Sequence, residues 1–150
     1  MATKMTVIFS KKCELALQAV LFLSAQENKL ALNASVISEK LGVSKEFTAK
    51  VLQQLVAEGI VGSKKGKNGG FYLKKSPERI RLINIVLAID GLDVFHKCVL
   101  GFKGCNMEQP CPVHEKWGKL RDDTYKMLSQ ETLADLRDKT IKKIDGLGGD

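Results

Sequence analysis

No stretch of the chain approaches the roughly 18 consecutive apolar residues that a membrane span requires, and Met1 to Ser10 lacks the basic-then-apolar order of an export signal. These absences predict a cytoplasmic protein with no membrane partner. A phosphate-binding loop is also missing, because Gly66, Gly69 and Gly70 have neither the strand-loop-helix context nor the Lys-Ser/Thr ending that such a loop needs. There is no C-x-x-C pair, no internal repeat and no low-complexity segment. At 150 residues the chain cannot hold two enzyme domains. An enzyme of electron transfer or thiol exchange is therefore the weakest reading, and no small-molecule substrate is expected.

With 44% apolar residues, the chain can bury one core and carry a small extension. The net charge of +7 is unevenly placed: residues 1–97 hold 15 Lys and Arg against 8 Asp and Glu, whereas residues 98–150 hold 9 of each. A basic half beside a neutral half suggests that one part meets a polyanion and the other does something else. A basic protein whose lysines are merely solvated is the plainer alternative.

Cys13, Ala16, Leu17, Val20, Leu21 and Ser24 repeat at helical spacing, so Ser10 to about Gln26 reads as a core-facing helix capped by Ser10. Leu30 to Leu32 suits a short strand, and Asn33 or Ser35 opens a second helix that ends at Leu41 before Gly42. A turn at Gly42-Val43 and a longer helix from Ser44 to about Glu58 complete a helix-turn-helix pattern. Val36, Ile37, Leu41, Val43, Val51, Leu52 and Leu55 are its expected internal contacts, with Lys45, Glu46, Ala49, Lys50 and Gln53 outward. Ile60-Val61 and Phe71 to Leu73 then flank a Lys/Gly-rich tip, a hairpin in which Asn68-Gly69-Gly70 supplies residues tolerant of positive φ. Helix, turn, helix and basic hairpin is the order of a winged helix, which predicts binding to double-stranded DNA. A winged helix used only for protein contacts is the rival.

Pro77 closes this region and Leu82 to Asp90 reads as a buried helix stopped by Gly91. The loop from Leu92 to Pro110 is long for a structureless connection in a small domain. Pro112 is expected at the first position of another helix, where Trp117, Leu120, Thr124, Met127 and Leu128 form an apolar stripe reaching about Ser129. Such a stripe requires a surface to cover it, and a second copy of the chain is one, which predicts a homodimer. Leu133, Leu136, Thr140 and Ile144 suggest a last short helix, and Gly146 to Asp150 a frayed tail. The predicted fold is thus mainly α with a small β wing. Residues 1–91 would form a winged helix-turn-helix domain, and residues 92–150 a cysteine loop with a long dimerisation helix.

Cys98, Cys105, Cys111 and His114 form C-x6-C-x5-C-x2-H. Thiols in a reducing compartment are poor candidates for structural disulfides, whereas soft sulfur ligands bracketed by Gly101, Gly104 and Pro110 can fold around an iron-sulfur cluster or zinc. Structural zinc sites usually pair ligands two to four residues apart, and no gap between these cysteines is that short. Reactive or simply reduced thiols remain a third reading. Cys111, placed where a helix begins, should be favoured as a thiolate. Cys13 reads as core packing.

Several segments in order resemble the Rrf-two family of bacterial regulators, of the IscR/NsrR type: FSKKCELALQAVLFLSA, the helix-turn-helix, LVAEGIVGSKKGKNGGFYL, and the cysteine loop running into CPVHEKW. The resemblance implies a homodimeric winged-helix regulator, a repressor in the first instance, whose operator affinity follows a 2Fe-2S or 4Fe-4S cluster that senses redox state, nitric oxide or iron status. It implies Cys98, Cys105 and Cys111 as ligands. The fourth would be His114, as in IscR-like members, or Glu14 from the partner subunit, as in NsrR-like members. The six-residue first gap and Lys65, where arginine is common, depart from the family pattern; lysine is a point charge without arginine's bidentate fork. DNA would meet Ser44, Lys45, Glu46 and Lys50 in the major groove, with Phe47 nearby, and Lys64, Lys65, Gly66 and Lys67 at the wing.

Overall fold

The computed structural model describes residues 8–26 and 30–148. Residues 1–7 and the end of the expected tail, 149–150, lie outside the described residues. Among the described residues six α-helices surround one two-stranded antiparallel sheet: α1 (Lys11–Ala25), α2 (Ala34–Leu41), α3 (Lys45–Ala57), β1 (Val61–Lys64), β2 (Gly70–Leu73), α4 (Leu82–Ile89), α5 (His114–Gln130) and α6 (Arg137–Asp145). The mainly helical fold with a small β wing matches the sequence reading.

Each of the first three helices begins where a side chain can satisfy an orphan amide. Ser10 accepts from the Cys13 N–H, Asn33 from Val36 and Ser44 from Phe47. Gly42 ends α2 in the left-handed conformation, φ 71°, and so makes the turn between the paired helices. Ile37, Val51, Leu52 and Leu55 are buried between them, together with Thr48, whose hydroxyl donates to the Ser44 carbonyl at 2.8 Å. Val36 departs from expectation: it is 43% exposed. Ala49, expected outward, is half-buried against the core.

The hairpin pairs Val61 with Leu73 through Lys64 with Gly70. Its positive-φ glycines are Gly70, within the expected Asn68-Gly69-Gly70 run, and Gly66, which lies outside it. Gly69 is required for a different reason, since a Cβ there would overlap the Lys64 carbonyl oxygen. The strand expected at Leu30 to Leu32 reduces to one bridge, in which the Leu32 N–H donates to the Phe71 carbonyl at 2.9 Å and the Phe71 N–H to the Leu32 carbonyl at 2.7 Å.

α1 is the central helix, its Leu15, Ala16, Ala19, Val20, Phe22 and Leu23 buried in the main core. α4 contributes Ile85, and the C-terminal part contributes Leu133 and Ile144 to the same core. A second apolar cluster joins Cys13, Ile83, Val86 and Leu128, so α5 is seated on α1 and α4 by one buried leucine near its end. The expected tail begins with one turn of 3-10 helix over Gly146–Gly148. Among the described residues no helix is long and apolar enough to cross a membrane.

Candidate functional site

The segment between α4 and α5 folds as a series of tight turns. Asp93–Phe95 make one turn of 3-10 helix. Gly101 and Gly104 then adopt φ of 83° and 70°, values that a side chain would oppose. Asn106 closes the next turn, its carboxamide oxygen accepting from Glu108 and Gln109 N–H at 2.9 Å each. These reversals fold the chain back on itself and bring Cys98, Cys105 and Cys111 together: their three Sγ atoms all lie within 4.8 Å of one another. Cys98 Sγ and Cys111 Sγ are 3.5 Å apart, and the Cys111 N–H donates to Cys105 Sγ at 3.4 Å.

His114 stands beside this triad, its Nδ1 3.2 Å from Cys105 Sγ. Glu14 lies half-buried on the first turn of α1 and is not among the ligand atoms that converge on the three sulfurs. Cys13 is fully buried in the second cluster.

Contrary to expectation, Pro112 is not the first residue of α5. Pro112 and Val113 form a turn in which the His114 N–H donates to the Cys111 carbonyl at 3.1 Å, and the helix starts at His114. The expected electrostatics move with it. Burial pushes the Cys111 thiol up, and the neighbouring thiols of Cys98 and Cys105 add to the rise against the opposing Val113 N–H. For Cys98, burial also pushes upward, but N–H groups of Phe102 and Leu100 and the thiols of Cys111 and Cys105 outweigh it and bring the value down to about 7. Between these two thiols the shift toward the thiolate falls on Cys98 and the shift away from it on Cys111, the reverse of the expectation for Cys111.

The loop is held by a ladder on α5 that sequence inspection passes over. Trp117 Nε1 donates to the Lys97 carbonyl at 2.9 Å, Arg121 to the Phe95 carbonyl at 2.7 Å, and Tyr125 meets the Phe95 ring edge to face at 5.3 Å. These positions are four residues apart, so they form one stripe along the helix. Two long donors and an aromatic ring at that spacing on an otherwise polar helix are the signal that could have identified them. Leu120 and Met127 lie roughly a third of a turn around the helix and are 57% and 61% exposed.

In the helix-turn-helix, Ser44, Lys45, Glu46 and Lys50 are exposed, and Phe47 is half-buried against the core. Ser44 accepts one hydrogen bond as the cap of α3, which leaves its hydroxyl proton free to donate outward. Lys64 is the last paired residue of β1, while Lys65, Gly66 and Lys67 occupy the loop beyond it; all four are exposed. The structure therefore separates a basic surface on α3 and the wing from a sulfur-rich turn braced by α5.

The family model described as iron-dependent transcriptional regulator, Rrf2, matches residues 9–139. The chain belongs to the Rrf2 family. A protein of Aquifex aeolicus named as an HTH-type transcriptional regulator is 30% identical over 132 residues, covering 87% of this chain and 91% of that one. The HTH-type transcriptional regulator IscR of Erwinia tasmaniensis is 28% identical over 127 residues, 85% of this chain and 76% of its own. Among solved structures, CymR, the global cysteine regulator of B. subtilis, superposes with a TM-score of 0.71 over 93% of this chain and 98% of its own, at 22% identity. IscR of T. potens gives 0.67 over 87% and 85%, also at 22% identity. The family and these relatives are transcriptional regulators rather than enzymes. This Rrf2 chain is accordingly a DNA-binding regulator that carries a cysteine triad suited to a metal.

Proposed function

We propose that this chain is a homodimeric repressor of double-stranded operator DNA whose affinity is set by an iron-sulfur cluster, 2Fe-2S or 4Fe-4S, responsive to redox state, nitric oxide or iron supply. The observation that carries the reading is the convergence of three Sγ atoms within 4.8 Å in a loop bonded to α5. Three thiols with an imidazole alongside are a donor set that fits such a cluster. Cys98, Cys105 and Cys111 would hold it; the 3.2 Å approach of His114 to Cys105 supports His114 as the fourth ligand, with the partner subunit's Glu14 as the alternative. When bound, a cluster supplies a centre that reacts with oxidants and nitric oxide and that ties three separate turns together.

The remaining work falls to the chain itself. Trp117 and Arg121 hold the carbonyls of Lys97 and Phe95, so the order of residues 92–110 is tied to the position of α5. In the proposed dimer, Leu120 and Met127 of α5 cover one another across the two-fold axis and set the spacing of the two α3 helices on DNA. Residues 1–91 act as the DNA-binding unit and residues 92–150 as the sensing and dimerisation element. Ser44, Lys45, Glu46 and Lys50 face the major groove, and Lys64, Lys65, Gly66 and Lys67 reach phosphates or the adjacent minor groove. An affinity change of about 5- to 150-fold between loaded and stripped protein is the range such coupling produces.

The test is anaerobic purification followed by visible absorption, iron and sulfide assay and operator binding, with Cys98→Ser, Cys105→Ser and Cys111→Ser in parallel. Coloured wild type, colourless variants and an operator affinity that differs between loaded and stripped wild type are expected. A colourless, iron-free anaerobic preparation with unaltered operator binding would overturn the reading.

The 3.5 Å approach of Cys98 and Cys111 supports a second reading, in which the triad is a thiol switch. Hydrogen peroxide would take two electrons and two protons from this pair, forming one S–S bond and two waters. Mass spectrometry of metal-free protein after peroxide separates the two, and metal analysis separates both from a zinc site.

A further inference from the structure

Away from the cysteines, a cavity of about 400 Å³ opens between α6 and the helices it packs on. Its walls are mainly Leu21 of α1, Leu41 of α2, Leu82 of α4, and Leu136 and Ile144 at the two ends of α6, with Gln18 of α1 as one polar neighbour. Thr140 also lines it, but the Thr140 hydroxyl already donates to the Leu136 carbonyl at 2.8 Å and offers nothing further to a guest as a donor. Two charged groups reach the cavity, Lys139 and Lys143, four residues apart on α6 and both exposed. They stand on the same side of the helix, so both ammonium groups reach one mouth.

An apolar chamber of this size with cations confined to its rim has the composition of a ligand site rather than of a packing defect. Mainly apolar walls disfavour a sugar or a nucleotide base, whose polar groups would find few partners beyond Gln18, and the lysines favour a guest with an anionic end. We infer that this cavity binds an amphipathic carboxylate, with the acyl chain among the leucines and the carboxylate between Lys139 and Lys143. Leu41 is the last residue of α2, immediately before the helix-turn-helix turn at Gly42, so an occupant touches the helix that packs on α3. The site is an effector pocket for operator binding that acts without the cysteine triad.

Octanoate is the probe, with hexanoate and octanol as controls, measured by calorimetry on the full chain of both wild type and Cys98→Ser. Octanoate is expected to bind both proteins equally, more tightly than hexanoate by about fourfold for each added methylene. The double variant Lys139→Ala/Lys143→Ala should weaken octanoate by roughly five- to tenfold and leave octanol unchanged. Saturating octanoate should shift operator affinity by at least about fivefold. Absence of octanoate binding, or binding indifferent to both chain length and the lysines, overturns the site, and so does an octanoate-resistant cavity whose Leu136→Glu variant instead loses dimerisation, since a second copy is then the occupant. Binding with no shift in operator affinity overturns the effector role. Because Cys98→Ser retains this site while losing the triad, failure of one reading is distinguishable from failure of the other.

Discussion

Ser10 and Asp90 are 80 positions apart in sequence, yet the Asp90 carboxylate accepts from both the Ser10 N–H at 2.9 Å and the Ser10 hydroxyl at 2.5 Å. A negative group at the start of α1 favours the helix, and the same Ser10 oxygen caps the Cys13 amide. Burial, followed by the nearby Asp90 charge, pushes the Cys13 thiol up to about 12, which keeps it neutral in the core. Ser10→Ala removes the cap and one bond to Asp90 together; a loss of about 1–2 kcal/mol is expected by urea unfolding, and Ser10→Thr should restore most of it. A second residue-scale effect concerns Asp135, whose carboxyl is held below its ordinary 3.8 by the Thr132 N–H and, next, the Thr132 hydroxyl. A depressed carboxyl contributes stability above its unfolded value and loses it as pH falls through the folded one. Asp135→Asn should therefore lower Tm at neutral pH, and the gap to wild type should close below pH 3.8. A gap that is constant with pH would show that the charge plays no part.

At the scale of elements, α1, α2 and α3 were legible because caps and periodicity agree: Ser10, Asn33 and Ser44 each stand where a serine or asparagine can receive the next free amide. The start of α5 was not legible, since Pro112 suits either a first helical position or a turn, and the bond from His114 N–H to the Cys111 carbonyl decides for the turn. The cysteine spacing made the triad visible, whereas the four-residue spacing of Trp117 and Arg121 marks a stripe without naming its partners, the carbonyls 20 and 26 residues away. In the wing, Gly70 takes the positive φ that the Asn68-Gly69-Gly70 run offers, whereas Gly66, outside that run, takes the other, because loop length fixes which residues turn. The wing carries its own prediction. Converting Lys64, Lys65 and Lys67 to Ala should reduce the slope of log affinity against log salt by about 0.9 for each phosphate that is no longer neutralised. An unchanged slope would leave the wing without a role in operator binding.

For the whole molecule, the exposed Leu120 and Met127 lie beside the ladder that holds the cysteine loop, so the proposed dimer seam and the proposed sensor share one helix. Leu120→Glu/Met127→Glu should sediment as a monomer and bind a two-half-site operator at least about tenfold more weakly, since two half-sites are engaged only by a pair. Retention of the dimer by this variant would place the seam elsewhere. The uneven charge read from the sequence also finds a location at this scale, because Lys45, Lys50 and the wing lysines all belong to the basic N-terminal half and are all exposed.

Gly70 begins the second wing strand at φ 142°, and a Cβ there would collide with the backbone of Leu32, whose two bonds to Phe71 join the wing to the segment leading into α2. The hairpin is therefore welded near the loop end of its ladder, where Phe71 pairs with Ser63 and Gly70 with Lys64, and behaves as a fixed tooth. Its spacing from α3 is preset in the free protein, and a saturation library at position 70 screened for operator binding should return glycine alone.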